Sequence, residues 1–450
     1  MAELTFVGAA GTVTGSKHLL TTNGRHLFID CGLFQGAADV TALNSIPMPV
    51  EPRAIEAVIV THGHIDHVGY LPKLVKDGFA GAVYCTPATA ALMQIVLDDA
   101  ANLQAHLAKR GFDREKHAPP AFYDEANVIA TMKLVRAIPP ETDFSVCGAT
   151  ARFHNAGHII GSAFVVLQLE GKRVLFSGDV GRYGRALLND PSPIGAVDTL
   201  LCESTYADRV HPPDALDQLR GVLLAGVKRG GAIVIPAFAV ERSQDILLSI
   251  GEIQTQEPSI AGVPVFLDSP MASKVDDLFE RFPEAHKPIP NDSAATPFGC
   301  RNLTVAVSTD QSKAINEVSG PHIIISASGM ASGGRVLHHL HKNIPSPNAT
   351  ILFVGYQGVG TLGFYMTHGA KTVRIYGDTL DVNADVVQIE GYSAHADRNE
   401  ITQWLSTCTT KPHLYAIHGE PASAQALVQL AQTHFGWQAD PGERGKTVTL

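Results

Sequence analysis

Hydrophobic and polar positions fall into two rhythms along this chain. Up to about residue 205 the apolar residues come in short runs that end on polar or turn residues. Leu4-Thr5-Phe6-Val7-Gly8, His18-Leu19-Leu20-Thr21 and His26-Leu27-Phe28-Ile29-Asp30 each read as a strand. Ala57-Val58-Ile59-Val60 is an unbroken apolar run and reads as a buried one. Two further runs, 164–169 and 173–177, flank Glu170-Gly171-Lys172, the signal of a hairpin. Helical spacing is confined to residues 68–76, 87–109 and 123–133. Strands with intervening and following helices predict sheets packed between helices.

From about residue 210 to 385 strand and helix alternate. Ala232-Ile233-Val234-Ile235-Pro236 precedes a helical stretch over 242–253, and Val263–Leu267 precedes another over 271–282. His322-Ile323-Ile324-Ile325-Ser326 leads to a helix over 335–341, and Ile351–Val354 ends at a glycine-rich loop. Continuous apolar strands separated by helices imply a parallel sheet, hence a second α/β domain. Segment 285–300, rich in Pro, Asn, Ser and Ala, is expected to be a loop. After residue 385 short strands return, including His413–Ile417, which ends at His418.

Length and composition narrow the picture. At 450 residues two or three domains are expected, and 45% hydrophobic content is ample for large cores. No apolar run reaches the length of a membrane span, and Met1-Ala2-Glu3-Leu4 lacks a basic, then apolar, signal region. The expectation is a soluble, cytoplasmic protein with no membrane partner. Cys31, Cys85, Cys147, Cys202, Cys300 and Cys408 form no CxxC pair and are expected as buried reduced thiols. The formal charge of −10 means that any polyanion must be held by a local groove.

The chemistry concentrates where the buried strand ends. Thr61-His62-Gly63-His64-Ile65-Asp66-His67 places four metal-competent side chains within six residues. His62 and His64, two apart, leave an extended backbone on one side, whereas Asp66 and His67 lie where the chain turns into a helix. One group of ligands therefore has two targets, which suits a pair of ions. Imidazole and carboxylate without thiolate favour zinc or a similar first-row ion, with manganese or iron also accepted. His158 in a glycine turn, Asp179 after a strand and His418 at a strand end are ordinary turn residues taken alone. Beside the first motif they become further ligands. The expected set is His62, His64 and His158 on one ion, Asp66, His67 and His418 on the other, and Asp179 bridging. A hydroxide held between the ions would be the nucleophile, since coordination lowers the pKa of water to about 7. Asp30 would orient a ligand histidine from behind. Glu203, at the end of an apolar strand, and His395, on a loop before a helix, would form a proton-donating pair. Asp66, Glu203 and His395 are the expected catalytic residues, Asp66 doubling as a ligand.

This set, His62-x-His64-x-Asp66-His67 followed by His158, Asp179 and His418, resembles the metallo-β-lactamase fold superfamily. Glu203, His395 and His418 match motifs A, B and C of its β-CASP branch, and a histidine at motif C is the pattern of the RNA-directed members. The resemblance spans nearly the whole chain and extends to bacterial and archaeal ribonucleases similar to the cleavage-and-polyadenylation endonuclease. It implies an α/β protein: an αββα metallo-β-lactamase sandwich, residues 1–206 and 384–450, with an inserted parallel-sheet β-CASP domain at 207–383. It also implies two Zn2+ ions and hydrolysis of RNA phosphodiester bonds to 5′-phosphate and 3′-hydroxyl ends.

Two glycine-rich loops complete the candidates. Ser328, Gly329, Met330, Gly333, Gly334 and Arg335 lie between a strand and a helix, where backbone N–H groups can meet an anion. Residues 355–363 form a second such loop; neither has nucleotide P-loop spacing. Ordinary tight turns are the plainer reading, and grip on the RNA backbone the functional one. Three functions are weighed: a metal-dependent ribonuclease, a small-molecule hydrolase of thioesters, lactones or β-lactams, and an idle RNA-binding scaffold. Endonuclease versus 5′-exonuclease action and homo-oligomer formation stay open at this point.

Overall fold

In the strand Arg25–Ile29, Leu27 and Ile29 point to one side and Phe28 to the other, and all three are buried. A strand buried on both faces needs a covering layer on each. The computed structural model, which describes residues 2–36, 38–112, 121–290, 293 and 296–450, supplies both. Strands form a seven-stranded sheet in the order Thr447–Thr449, Glu3–Phe6, His18–Thr22, Arg25–Ile29, Ile55–Ile59, Ala82–Cys85, Val135–Ala137. A second seven-stranded sheet runs Ala439–Pro441, His413–Ile417, Thr199–Glu203, Lys172–Phe176, Ala163–Leu169, Ala149–Asn155, Asp143–Val146. Leu27, Ile29 and Ile59 of the first meet Phe153, Val165, Leu167 and Phe176 of the second in one core. Phe164, Leu175 and Leu200, facing outward, are covered by Ile401 and Trp404 of the helix Arg398–Leu405 and by Leu427 and Val428 of Pro421–Leu430. The layers are therefore helix, sheet, sheet, helix. Burying each such side chain contributes about 1.5–3 kcal/mol.

The hairpin forms where its signal stands. Glu170 and Gly171 both have positive φ, and Lys172 already pairs with Leu169, so the turn has two residues. Such a turn matches the twist of the flanking strands. The helix expected over 68–76 is instead two short ones, Ile65–Val68 and Leu71–Lys76. Gly69 closes the first through its N–H to the Ile65 carbonyl, and Pro72 sits in the opening turn of the second. Proline has no N–H to continue a helix but suits the start of one.

Contacts divide the chain into two units, Met1–Val210 with His395–Leu450, and His211–Ala394. The second holds a six-stranded, all-parallel sheet in the order Leu303–Val305, Val265–Asp268, His322–Ser326, Ala232–Pro236, Thr350–Val354, Asp385–Ile389, and a separate antiparallel pair, Thr372–Ile375 with Asp378–Asp381. Of the loop expected over 285–300, residues 291, 292, 294 and 295 lie outside the described residues; Pro297–Gly299 forms a short 3-10 turn. All six cysteines are free thiols. Among the described residues no helix is long and apolar enough to cross a membrane.

Candidate metal centre

The strand Ile55–Ile59 delivers Thr61 and His62 to the end of the first sheet, and the short helix Ile65–Val68 turns Asp66 and His67 back toward them. This turn is docked by backbone hydrogen bonds: Cys31 N–H donates to the His67 carbonyl (2.7 Å) and Ser16 N–H to the Asp66 carbonyl (2.8 Å). The approach leaves no room for a side chain at position 32, where a Cβ would lie 1.5 Å from the Asp66 carbonyl oxygen. The loops carrying His158 and Asp179 meet as tightly, with a Cβ on Gly181 falling 1.8 Å from the Gly157 oxygen. His418 ends the strand His413–Ile417 of the second sheet, and both it (φ 49°) and Asp30 (φ 58°) hold left-handed backbone. That conformation costs about 1–2 kcal/mol for a residue with a Cβ.

The two sheets thus bring all seven expected ligands together in two groups. His62, His64, His158 and Asp179 form one, and Asp66, His67 and His418 the other; within each, the donor atoms lie within 4.8 Å of one another. In the first, His62 Nε2 and His158 Nε2 approach His64 Nδ1 to 3.1 and 3.2 Å. In the second, His67 Nε2 and His418 Nε2 are 3.1 Å apart, and Asp66 Oδ2 lies 3.4 Å from His418 Nε2. Asp179 stands between: Oδ2 is 3.4 Å from both His62 Nε2 and His158 Nε2, while Oδ1 is 3.3 Å from His67 Nε2 and 3.5 Å from His418 Nδ1.

Hydrogen bonds outside the cluster fix which nitrogen faces in. Asp30 only accepts, so His67 donates through Nδ1 to Asp30 Oδ2 (2.7 Å) and turns Nε2 inward. Asp30 is itself held by the Thr61 N–H (2.8 Å), the Thr61 hydroxyl and the Ser16 hydroxyl (3.2 Å). His62 Nδ1 meets Thr61 Oγ1 at 3.2 Å, and His418 Nδ1 meets Thr205 Oγ1 at 3.1 Å. These hydroxyls were not anticipated from sequence.

The electrostatics favour a cation. Burial lowers the pKa of His62, pushes His64 down to about 3, and holds His158 well below its ordinary value, so these rings present lone pairs. Burial also opposes charge on His67, but the Asp179 and Asp30 carboxylates outweigh it and hold its pKa well above the ordinary value. Positive charge is thus stabilised at this point. Burial would raise Asp179, yet the surrounding histidines keep it well below the usual carboxylate range, and its buried Oδ1 accepts no hydrogen bond. Converging imidazole nitrogens around a carboxylate with an unused oxygen fit a first-row divalent ion.

Beside this cluster stands the pair Glu203–His395. Glu203 is fully buried and accepts from the Val180 N–H (2.7 Å), the Thr205 N–H (3.2 Å) and His395 Nδ1 (3.1 Å). His395 lies 3.9 Å from Asp179 Oδ2 and is 20% exposed. Burial would lower its pKa, but Glu203 and then Asp179 raise it to about 9, so the ring carries a proton at neutral pH.

In the second unit the loop 328–335 follows the strand His322–Ser326. Arg335 turns its guanidinium inward, donating through Nη1 to Asp268 Oδ1 (2.7 Å) and the Ala306 carbonyl (2.9 Å), and through Nη2 to the Val307 carbonyl (3.1 Å). Asp268 also takes the Ser312 hydroxyl and His339 Nε2, each at 2.6 Å.

Comparison with known proteins places these features in context. Residues 12–249 match the Metallo-beta-lactamase superfamily, 243–366 the Beta-Casp domain, and 379–440 the Zn-dependent metallo-hydrolase RNA specificity domain. Ribonuclease TTHA0252 of Thermus thermophilus is 37% identical over 94% of this chain and 94% of its own length. Transcription termination factor FttA of Methanosarcina mazei is 32% identical over 96% of this chain and 69% of its own. Cleavage and polyadenylation specificity factor 73 of Drosophila melanogaster is 27% identical over 95% of this chain and 61% of its own.

Proposed function

The chain belongs to the metallo-beta-lactamase superfamily, with a Beta-Casp domain and an RNA specificity domain, and on that premise we propose that it is a two-metal ribonuclease. It is a hydrolase of this fold, and RNA is its substrate class by kinship with the ribonuclease of Thermus thermophilus. The observation that carries the two-ion reading is Asp179, whose two oxygens face two separate groups of histidines. His62, His64 and His158 would hold one zinc ion, and Asp66, His67 and His418 the other. Bound there, such ions polarise a phosphoryl oxygen and lower the pKa of water to about 7.

The remaining steps belong to the chain's own residues. Water gives up one proton to solvent and its oxygen bonds to phosphorus, the P–O3′ bond breaks, and O3′ takes a proton from His395, which solvent then restores. Glu203 positions that ring and keeps it protonated. The products are a 5′-phosphate and a 3′-hydroxyl. In the second unit the loop of Ser328, Gly329, Met330, Gly333 and Gly334 meets phosphate through backbone N–H groups, with Arg335 supporting it from Asp268. The proposed domain limits are 1–206, 207–383 and 384–450. The cytoplasm is the proposed compartment, in keeping with six unpaired cysteines. An idle scaffold would lack ligands, and all seven are in place.

RNA labelled at both ends tests this. Cleavage should stop on chelation and leave 5′-phosphate and 3′-hydroxyl ends. A 2′,3′-cyclic phosphate would mean attack by the ribose 2′-hydroxyl and sink the mechanism, as would cleavage indifferent to chelators.

A further inference from the structure

Behind the ligand His67 lies a buried imidazole that none of the chemistry above uses. His18 sits in the strand His18–Thr22, paired across to Ile29, the residue before Asp30. It lines the same small cavity as Ser16. Its ring is 1% exposed, between Phe6 (centroids 6.1 Å apart) and Phe176 (6.3 Å). Neither ring nitrogen has a hydrogen-bond partner in the protein. Burial, the largest influence on it, keeps this ring neutral, so it carries one N–H donor and one acceptor. A buried polar group without a partner is destabilising, so a bare imidazole here is a poor choice for packing alone.

The ring lines a small cavity of about 10 Å³ among buried side chains, whose wall also includes Ser16, Asp30, His67, Phe176 and His418. That is about the room one water needs, and a water persists where it finds two or more polar partners. Asp30 has already taken the His67 Nδ1–H, the Thr61 amide and hydroxyl, and the Ser16 hydroxyl. Ser16 Oγ, by contrast, donates to Asp30 and keeps its lone pairs to accept with.

We propose that one ordered water occupies this cavity, accepting the His18 N–H and donating to Ser16 Oγ, and that His18 is thereby a positioning residue for the metal ligand His67. The relay then runs in one sense: His18 N–H to water, water to Ser16, Ser16 to Asp30, with Asp30 receiving His67 Nδ1–H from the other side. Each link holds the next, so the Asp30 carboxylate is fixed and His67 Nε2 stays aimed at its ion. Partners behind a ligand histidine typically change metal affinity by about 10–100-fold.

The proposal rests on the metal-centre reading, and the test separates the two. Zinc affinity of the apoprotein is measured by competition with a chromophoric chelator, alongside thermal melting, for wild type, His18→Phe, His18→Gln and Ser16→Ala. His18→Phe replaces the ring with an apolar one between Phe6 and Phe176, so it should melt no lower than wild type yet bind its second zinc about tenfold or more weakly. His18→Gln keeps a donor and should recover most of that loss. Ser16→Ala cuts the relay one link on, and should weaken the same zinc even if His18→Phe fails to fold. Wild-type affinity in Ser16→Ala and in a folded His18→Phe would overturn the proposal, as would a high-resolution crystal structure without water against His18. A wild-type protein that takes up no zinc would instead overturn the proposed function.

Discussion

At the scale of single residues, His395 is the proposed proton donor. Its Nδ1 is tied to Glu203, which two backbone N–H groups hold still, so the ring is oriented before substrate arrives. His395→Ala should keep both metals and lower RNA turnover by roughly 10²–10⁴, the usual worth of a placed proton donor. A phosphodiester with a good leaving group needs no such proton and should escape most of the loss. The sign of the pH effect follows from the carboxylates beside the ring. They raise its pKa to about 9, so the donor form is present below that value and lost above it. Turnover should therefore decline on the alkaline side, and in Glu203→Gln the decline should begin at lower pH. A pH–rate profile identical in the two proteins would remove Glu203 from this role. Which side chains converge here was legible in the sequence, because His62, His64, Asp66 and His67 share one short motif, while Asp179, Glu203 and His418 stand at or just after strand ends and His158 and His395 in loops. Thr61, Thr205 and His18 were not. A hydroxyl or a ring behind a ligand has no spacing of its own and shows only when two sheets bring it near.

At the scale of elements, each unit has a tight local arrangement of its own. The helix Ile65–Val68 lies against the chain at Gly32 so closely that any side chain there would enter the Asp66 peptide. Gly32→Ala should cost about 1–3 kcal/mol from overpacking alone. It should also lower zinc content, because Asp66 and His67 move with that peptide. Melting and metal analysis on one sample check both. In the second unit Asp268 binds Ser312, His339 and Arg335. Burial would raise its pKa, but His339, Ser312 and Arg335 lower it below the ordinary range. A depressed carboxylate contributes stability above its unfolded pKa of about 4 and loses it as pH falls through the folded value. Asp268→Asn should thus cost about 3–5 kcal/mol at neutral pH, the scale for breaking a buried pair. The gap from wild type should close in acid; a pH-independent gap would contradict the charge argument. Strands with long apolar runs, such as Ala232–Pro236 and His322–Ser326, stood where the pattern put them. Ala82–Cys85, Val135–Ala137 and Asp143–Val146 are three or four residues long, too short for a period to emerge. The helix over 68–76 broke because its period survived a proline that its backbone could not.

At the scale of the whole molecule, two sheets close on one cluster while the second unit carries its own parallel sheet. The αββα layering follows from strands that are apolar on both faces, which unbroken apolar runs such as Ala57–Val60 make readable. The order of strands does not follow, since Thr447–Thr449 joins the edge of the first sheet beside Glu3–Phe6 from the far end of the chain. On the proposed function, seven side chains from both sheets act as one site for two ions. Titrating zinc into the apoprotein while following cleavage of labelled RNA tests it most directly. Activity should rise to a plateau at two equivalents per chain, and Asp179→Ala should bind fewer than about one and a half and stay inactive, since its bridging carboxylate is gone. Full activity at one equivalent, or full zinc occupancy in Asp179→Ala, would contradict the account.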